Sequence, residues 1–261
     1  MVSRSQLRRA GERLRRAETP SEADRQIYAD YRDTFEGPLR EVGEGIRRLV
    51  GDAPIQSRLK RFETVVEKLR SRTHDLSRLE DIAGCRVILP TMVEQHQTRH
   101  RIRESWEIMR ERDYQAAPRD GYRALHIVVR AQDRPVEVQV RTEMEDLWAN
   151  ASEALANRLH PEIKYGGGPP DVRDLLDSMS RVCEVADTSE AVRHALLAAG
   201  TDELADRLSA PRSMTHATRA LFRAIARMDR DVESGELALN VTDAESRLIN
   251  EVLATLRGDD R

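Results

Sequence analysis

Residues 119–142 read RDGYRALHIVVRAQDRPVEVQVRT. The run YRALHIVV is apolar and rich in β-branched residues, AQDRP carries polar and proline turn signals, and VEVQVRT alternates strictly, so the spacing predicts a β-hairpin. Side chains on a strand point alternately to opposite faces, which sends Val136, Val138 and Val140 one way and Glu137, Gln139 and Arg141 the other. One face belongs to a core, and the other is a row of charge and amide. Alternation alone is equally that of a half-solvated antiparallel strand. The lead-in points further. Arg119-Asp120-Gly121-Tyr122-Arg123 sets a glycine and an aromatic ring between two guanidiniums, a combination suited to stacking a base and holding its phosphates.

With 261 residues the chain can bury one good-sized core, as one domain with a helical appendage or as two domains. Charged residues make up 34% and aromatic residues 4%, which predicts amphipathic helices with cores of Leu, Val, Ile and Ala. No run approaches the roughly 18 apolar residues of a membrane span and the N-terminus carries no apolar signal segment, so a cytoplasmic protein without membrane contact is expected. Cys85 and Cys183 lack a CxxC or histidine partner at a metal-ligand spacing; both read as small buried hydrophobes. The formal net charge of −3 demands no nucleic acid, although the charge is unevenly spread.

Residues 1–18 carry Arg4, Arg8, Arg9, Arg13, Arg15 and Arg16 against Glu12 and Glu18, with Leu7 and Leu14 at heptad spacing. This is a basic helix, either a solvated face or a contact for RNA phosphates. Thr19 or Ser21 then caps a helix whose stripe of Ile27, Tyr28, Tyr31, Phe35, Leu39 and Val42 is assigned to packing. After Gly51-Asp52-Ala53-Pro54, a short strand or turn leads into a helix over 63–72 with Val65, Val66 and Leu69 inward. Arg58, Lys60, Thr64 and Lys68 form a ladder of three cations and one hydroxyl. Such a ladder suits a phosphate chain, and it equally describes a basic amphipathic helix facing solvent.

The segment CRVILP is a compact strand bounded by Gly84 and Pro90. Asp81 stands at its entry, where a carboxylate can hold a magnesium ion over the sheet edge or can cap a turn and pair with Arg86. Residues 91–112 read as one long helix carrying Val93, Ile102, Trp106, Ile108 and Met109. His96 and His100 on it lack a carboxylate or cysteine partner and are read as solvated. A helix over 143–159 packs through Met144, Leu147, Trp148, Ala151 and Leu155. Gly166-Gly167-Gly168-Pro169-Pro170 breaks the chain and reads as a linker, since no Lys-Ser/Thr follows to make a phosphate loop. The expected division is N-terminal helices over 1–50, a core over 51–165 and a helical region over 171–261, with helices at 218–231 and 243–256 among its three to five.

Taken in order, SRLKRFETVVEKL, EDIAGCRVI, PRDGYRALHIVV and VEVQVRTEMEDLWA resemble the RelA/SpoT alarmone synthetase domain, in the short single-domain form of that family, over about residues 20–165. The resemblance implies an α+β fold: a mixed β-sheet flanked by helices, nucleotidyltransferase-like, with helical N- and C-terminal extensions. It implies an ATP-dependent pyrophosphokinase that moves pyrophosphate from ATP to the 3′-hydroxyl of GDP or GTP, making (p)ppGpp. By the same resemblance Arg58 and Arg86 sandwich the adenine, and Lys60, Thr64 and Lys68 hold the ATP phosphates, with Thr64 in place of the usual serine. Asp81 binds Mg²⁺, with Glu137 as second ligand and as the group that activates the acceptor hydroxyl. Tyr122 stacks on the acceptor guanine, Arg119 meets its phosphates in place of the usual lysine, and His126 and Arg141 line the site. Such a transfer needs charge neutralisation and alignment more than covalent chemistry.

The chain departs from the family pattern on the acceptor side. Asn150 and Glu153 stand where an acidic residue and a histidine are usual, Asp146 where an amide or imidazole is usual, and Asp120 replaces a common asparagine. Carboxylates beside an anionic nucleotide weaken its binding unless they point elsewhere. Two further readings follow. One is the same transfer to the 3′ end of tRNA, as in toxin-type relatives that stop translation; the altered acceptor residues and the arginine-rich N-terminus favour it. The other is a catalytically inactive nucleotide- or RNA-binding module, against which Asp81 and Glu137 argue. An antitoxin or a second copy of the chain is the macromolecular partner to expect. No His-Asp metal cluster precedes the synthetase motifs, so a hydrolase half is not expected.

Overall fold

The computed structural model describes residues 2–71 and 75–200, with short stretches at 219–220, 222–223, 229–230 and 237–238. Five strands, β1 (Ile55–Leu59), β2 (Ala83–Leu89), β3 (Ile108–Asp113), β4 (Leu125–Ala131) and β5 (Arg134–Thr142), form one mixed sheet in the order β1-β2-β5-β4-β3. Seven helices accompany them among the described residues: α1 (Arg4–Arg16), α2 (Glu22–Asp33), α3 (Glu36–Val50), α4 (Phe62–Ser71), α5 (Met92–Ser105), α6 (Glu143–Arg158) and α7 (Pro170–Ala198).

The predicted hairpin is β4 and β5, antiparallel, with Val128 opposite Glu137 and His126 opposite Gln139. Its loop is Gln132-Asp133, with φ of 46° and 60°. Two successive left-handed residues make the turn whose twist matches the flanking strands. Glutamine is costly there, and a hydrogen bond of 2.9 Å from its side-chain amide to Glu41 on α3 offsets the cost. Val136, Val138 and Val140 have no exposed surface, as the alternation requires. The same alternation runs along β2, where Ala83, Cys85, Val87 and Leu89 are buried and Gly84 and Arg86 are not.

Three expectations are corrected. The stripe from Ile27 to Val42 belongs to two helices, because Pro38 in the first turn of α3 has no N–H to bond the Thr34 carbonyl, and the chain breaks there. The long helix over 91–112 stops at Ser105, and residues 108–113 are the edge strand β3. Its pairing with β4 is a long-range contact that local pattern does not report; Arg130 N–H, for example, donates to the Glu107 carbonyl at 3.0 Å. Farther on, Asp229–Arg230 pair with Leu237–Ala238, so no helix runs to 231; the helix expected over 243–256 lies outside the described residues.

The chain forms two compact units that interleave in sequence: Met1–Ile88, Gln97–Arg112 and Leu125–Val140 in the first, and Leu89–His96, Asp113–Ala124 and Arg141–Arg261 in the second. In the second, α6 and α7 share a core of Met144, Trp148, Leu155, Leu176, Met179 and Cys183. Cys85 and Cys183 are both free and buried. No helix among the described residues is long and apolar enough to cross a membrane.

Candidate active site

The polar face of the sheet in the first unit carries the donor-side residues. Lys60 follows β1, Lys68 lies on α4 and Asp81 leads into β2. The main chain at Lys60 is held from both sides: its N–H donates to the Ile82 carbonyl at 2.7 Å, and its carbonyl accepts the Tyr28 hydroxyl at 2.6 Å. Both ammoniums converge on one atom. Lys60 Nζ lies 2.5 Å from Asp81 Oδ2, and Lys68 Nζ bonds the same oxygen. Burial would raise the Asp81 carboxyl, but the two lysines outweigh it and hold the group at about 2. Burial also pushes Lys60 below the usual lysine range, against the pull of Asp81. Asp81 Oδ1 is buried and has no partner.

Glu137 is clamped on both oxygens. His126 Nδ1 lies 3.0 Å from Oε1, and Gln139 Nε2 donates to Oε2 at 2.8 Å. Register explains the first contact, since His126 sits diagonally across the β4–β5 ladder from Glu137 on the same face. Burial would raise the Glu137 carboxyl; the bonds from His126 and Gln139 more than reverse this and lower it. An ionised carboxylate only accepts, so the imidazole proton sits on Nδ1.

Lys68, Asp81, His126 and Glu137 line one cleft. Arg78, Glu80, Arg110 and Arg112 line it too, and the sequence did not reveal them. Arg110 pairs with Glu80 at 3.1 Å. Arg110 and Arg112 share a face only in a strand, with its period of two; read as helix, they diverge. Arg58 and Arg86 share a face of the β1–β2 ladder, Arg58 opposite Gly84 and Arg86 opposite Gln56. A Cβ at Gly84 would stand 3.3 Å from the Glu137 carbonyl oxygen. Thr64 is exposed on α4, one turn before Lys68.

The acceptor-side residues other than His126 belong to the second unit. Arg141 is 5% exposed; its Nη1 donates to Asp146 Oδ1 at 2.9 Å and its Nη2 to the Tyr122 hydroxyl at 3.0 Å. The Tyr122 ring lies against Tyr114 and Trp148, with centroids at 5.5 and 6.2 Å. Arg119 is the exposed member, exchanging backbone hydrogen bonds with Tyr122 around Asp120 (φ 52°) and Gly121 (φ 78°). This tight turn needs glycine at the second position. The second arginine of the lead-in, Arg123, bonds Glu184 on α7.

The unusual carboxylates turn to partners within the chain. Asp146 takes Arg141 on one oxygen and the Asn150 amide on the other, at 3.0 Å, and Asp120 lies 3.6 Å from Arg119. Glu153 is exposed. His96 and His100 are exposed on α5, meeting Gln115 and Glu104. No group of three or more metal-ligating side chains occurs among the described residues.

Residues 57–158 match the family model described as the region found in RelA / SpoT proteins. Over these residues the chain is similar to RelA/SpoT proteins. Every site residue expected from the sequence lies within them. The protein Mb1401 of Mycobacterium bovis is 30% identical over 174 residues, covering 64% of this chain and 63% of that protein's length. The GTP pyrophosphokinase YwaC of Bacillus subtilis is 24% identical over 180 residues, 61% of this chain and 82% of YwaC. Among solved structures, the small alarmone synthetase 1 from Bacillus subtilis superposes with a TM-score of 0.51 at 24% identity, over 64% of this chain and 98% of that one. The same enzyme bound to its product pppGpp gives 0.54 at 20% identity, over 66% and 98%. The matched region thus has the expected mixed sheet flanked by helices.

Proposed function

We propose that the chain transfers pyrophosphate from ATP to the 3′-hydroxyl of GDP or GTP. The observation that carries this reading is the cleft in which Asp81, held ionised by Lys60 and Lys68, and Glu137, held ionised by His126 and Gln139, stand among arginines. The name of YwaC and the product in the related Bacillus structure agree with it.

The acceptor 3′-oxygen bonds the β-phosphorus of ATP, the bond from that phosphorus to the α–β bridging oxygen breaks, and AMP leaves. Glu137 takes the hydroxyl proton on an ε-oxygen, and His126 keeps that carboxylate aimed. Lys60 and Lys68 neutralise the phosphates, while Arg58 and Arg86 hold the adenine between them. Asp81 with its unpartnered oxygen, and Glu137, fit magnesium, which takes one or two carboxylates and fills its other positions with phosphate and water. The ion would neutralise charge on the transferred group.

A second acceptor, the 3′ end of tRNA, draws on one observation: Arg4, Arg8, Arg9 and Arg16 are exposed on α1, opposite buried Leu7, Ala10 and Leu14. The test is transfer of label from β- or γ-labelled ATP with Mg²⁺ to GDP, GTP or deacylated tRNA in separate reactions, with Glu137→Gln as control. Label on a guanine nucleotide establishes the first reading, and label on tRNA alone the second. ATP bound without transfer to any acceptor would leave an inactive nucleotide-binding module.

A further inference from the structure

A second cavity, of about 280 Å³, lies wholly within the second unit. Its walls come from α5, the segment after β3, α6 and α7. Met92 and Ala116 are its apolar members, while Asp113, Glu145, Glu184 and Asp187 set four carboxylates against the one guanidinium of Arg123.

Three of these carboxylates are provided for. Glu145 accepts from the Gln95 and Gln115 amides and the Thr142 N–H, and Asp113 accepts the N–H groups of Gln115 and Ala116. Glu184 takes Arg123 at 2.6 Å, and the same guanidinium also bonds the Gln115 carbonyl. Asp187 is the exception. It is 7% exposed, and among the described residues only Thr142 Oγ1 bonds its carboxyl, on Oδ2. Its Oδ1 stands in the cavity wall without a donor, although a charge so buried requires a partner. Glu184 lies one turn earlier on the same face of α7, so one group in the cavity can meet both.

We propose that this cavity binds a small organic cation, an alkylammonium or diamine whose ammonium bonds Asp187 Oδ1 and Glu184 and whose carbon chain lies along Met92 and Ala116. An ammonium brings three donors and demands no fixed coordination shell. A metal ion fits less well, since no group of three or more metal-ligating side chains is assembled among the described residues. The volume exceeds the roughly 30 Å³ share of one water many times over, which leaves room for the chain.

Protons compete with such a ligand. Burial raises the Asp187 carboxyl to about 7 and Glu145 adds to the rise, while the Thr142 bond, Arg123 and Arg219 oppose it. Asp113, Glu184 and His96 share the cavity with it, and the Cys183 thiol on its own helix is pushed well up by burial and stays neutral. Below pH 7 the cation must therefore displace a proton. Its affinity should rise by up to about tenfold between pH 6 and pH 7 and level off by pH 8.

The site stands apart from the transfer reaction and is tested without nucleotide. Calorimetry of the full chain with 1,4-diaminobutane at pH 8 should show saturable binding, with a raised melting temperature that sodium chloride at matched ionic strength does not reproduce. At pH 6.5 binding should weaken and release protons, read as heats that vary with the ionisation enthalpy of the buffer. Asp187→Asn should raise the dissociation constant at least about tenfold. Ala116→Phe, which fills the cavity and leaves every charge in place, should do the same. Absence of binding at pH 8, an equal effect of sodium chloride, or unchanged affinity in both variants would overturn the site. Displacement of the diamine by equimolar magnesium would overturn the organic cation in favour of a metal ion.

Discussion

The Lys60 ammonium lies 2.5 Å from Asp81 Oδ2, while the other oxygen of that carboxylate is buried without a partner. One oxygen is thus spent on two lysines, and the other makes no hydrogen bond. Asp81→Asn should lower transfer by about a hundredfold or more, because it removes the anion that anchors Lys60 and Lys68 and that would hold a metal ion against the phosphates. The effect on stability can be read without substrate. Asp81 sits at about 2 in the folded chain, below the ordinary carboxylate value, so its contribution is present above about pH 4 and is lost as pH falls through 2. Urea titrations in EDTA should show a loss of about 2 kcal/mol from this group over that window. A variant slope equal to the wild type would contradict the assignment.

Glu137 is held ionised by two hydrogen-bond donors, so it is ready to accept a proton. Glu137→Gln should lower kcat by about 10²- to 10⁴-fold. ATP affinity by calorimetry should change little in the absence of acceptor. A variant retaining full turnover would remove Glu137 from the chemistry.

Arg141 and Asp146 form a buried pair, and removing either takes the opposite charge away from the other. Arg141→Ala should cost about 3–5 kcal/mol in chemical denaturation. Tyr122→Phe deletes only the hydroxyl that accepts from Arg141 and should cost about 1 kcal/mol. Equal losses in the two variants would mean that the Arg141–Asp146 pair is not what anchors the start of α6.

Thr142 Oγ1 donates to Asp187 Oδ2 at 2.7 Å and so ties the N-cap of α6 to α7. Burial lifts the Asp187 carboxyl to about 7, opposed by that bond; Glu145 adds to the rise, and Arg123 and Arg219 counter it. An acid raised in the folded state binds more protons there than unfolded. Its contribution is therefore full below about pH 4 and is lost as pH rises to about 7. Asp187→Asn should flatten that part of the profile and raise the melting temperature at pH 8. A steeper dependence, or a lower melting temperature at pH 8, would refute the account.

Much of this molecule was legible from local pattern. The alternation of residues 134–142 sufficed for the hairpin, for its buried valines and for the face that carries Glu137. Thr19 and Ser21 were both legible as N-caps, and the structure uses Ser21, whose side chain accepts from the Asp24 N–H. Misread segments lay where two structures fit the same residues. Residues 106–113 satisfy a helix until a neighbouring strand is available, and with β3 went the arginines at 110 and 112.

The sequence by itself determined which cationic, carboxylate and imidazole residues are present, and that Glu137 shares a strand face with Gln139. Those facts depend on periods of two and 3.6, which are local. Only the tertiary structure decided that Lys60 and Lys68 meet on one oxygen of Asp81, that His126 reaches Glu137 across a ladder, and that Asp146 turns to Arg141. Each of these contacts joins separate segments through strand register or the angle of a helix. The packing of the whole core sets those quantities, and no single stretch of chain encodes them.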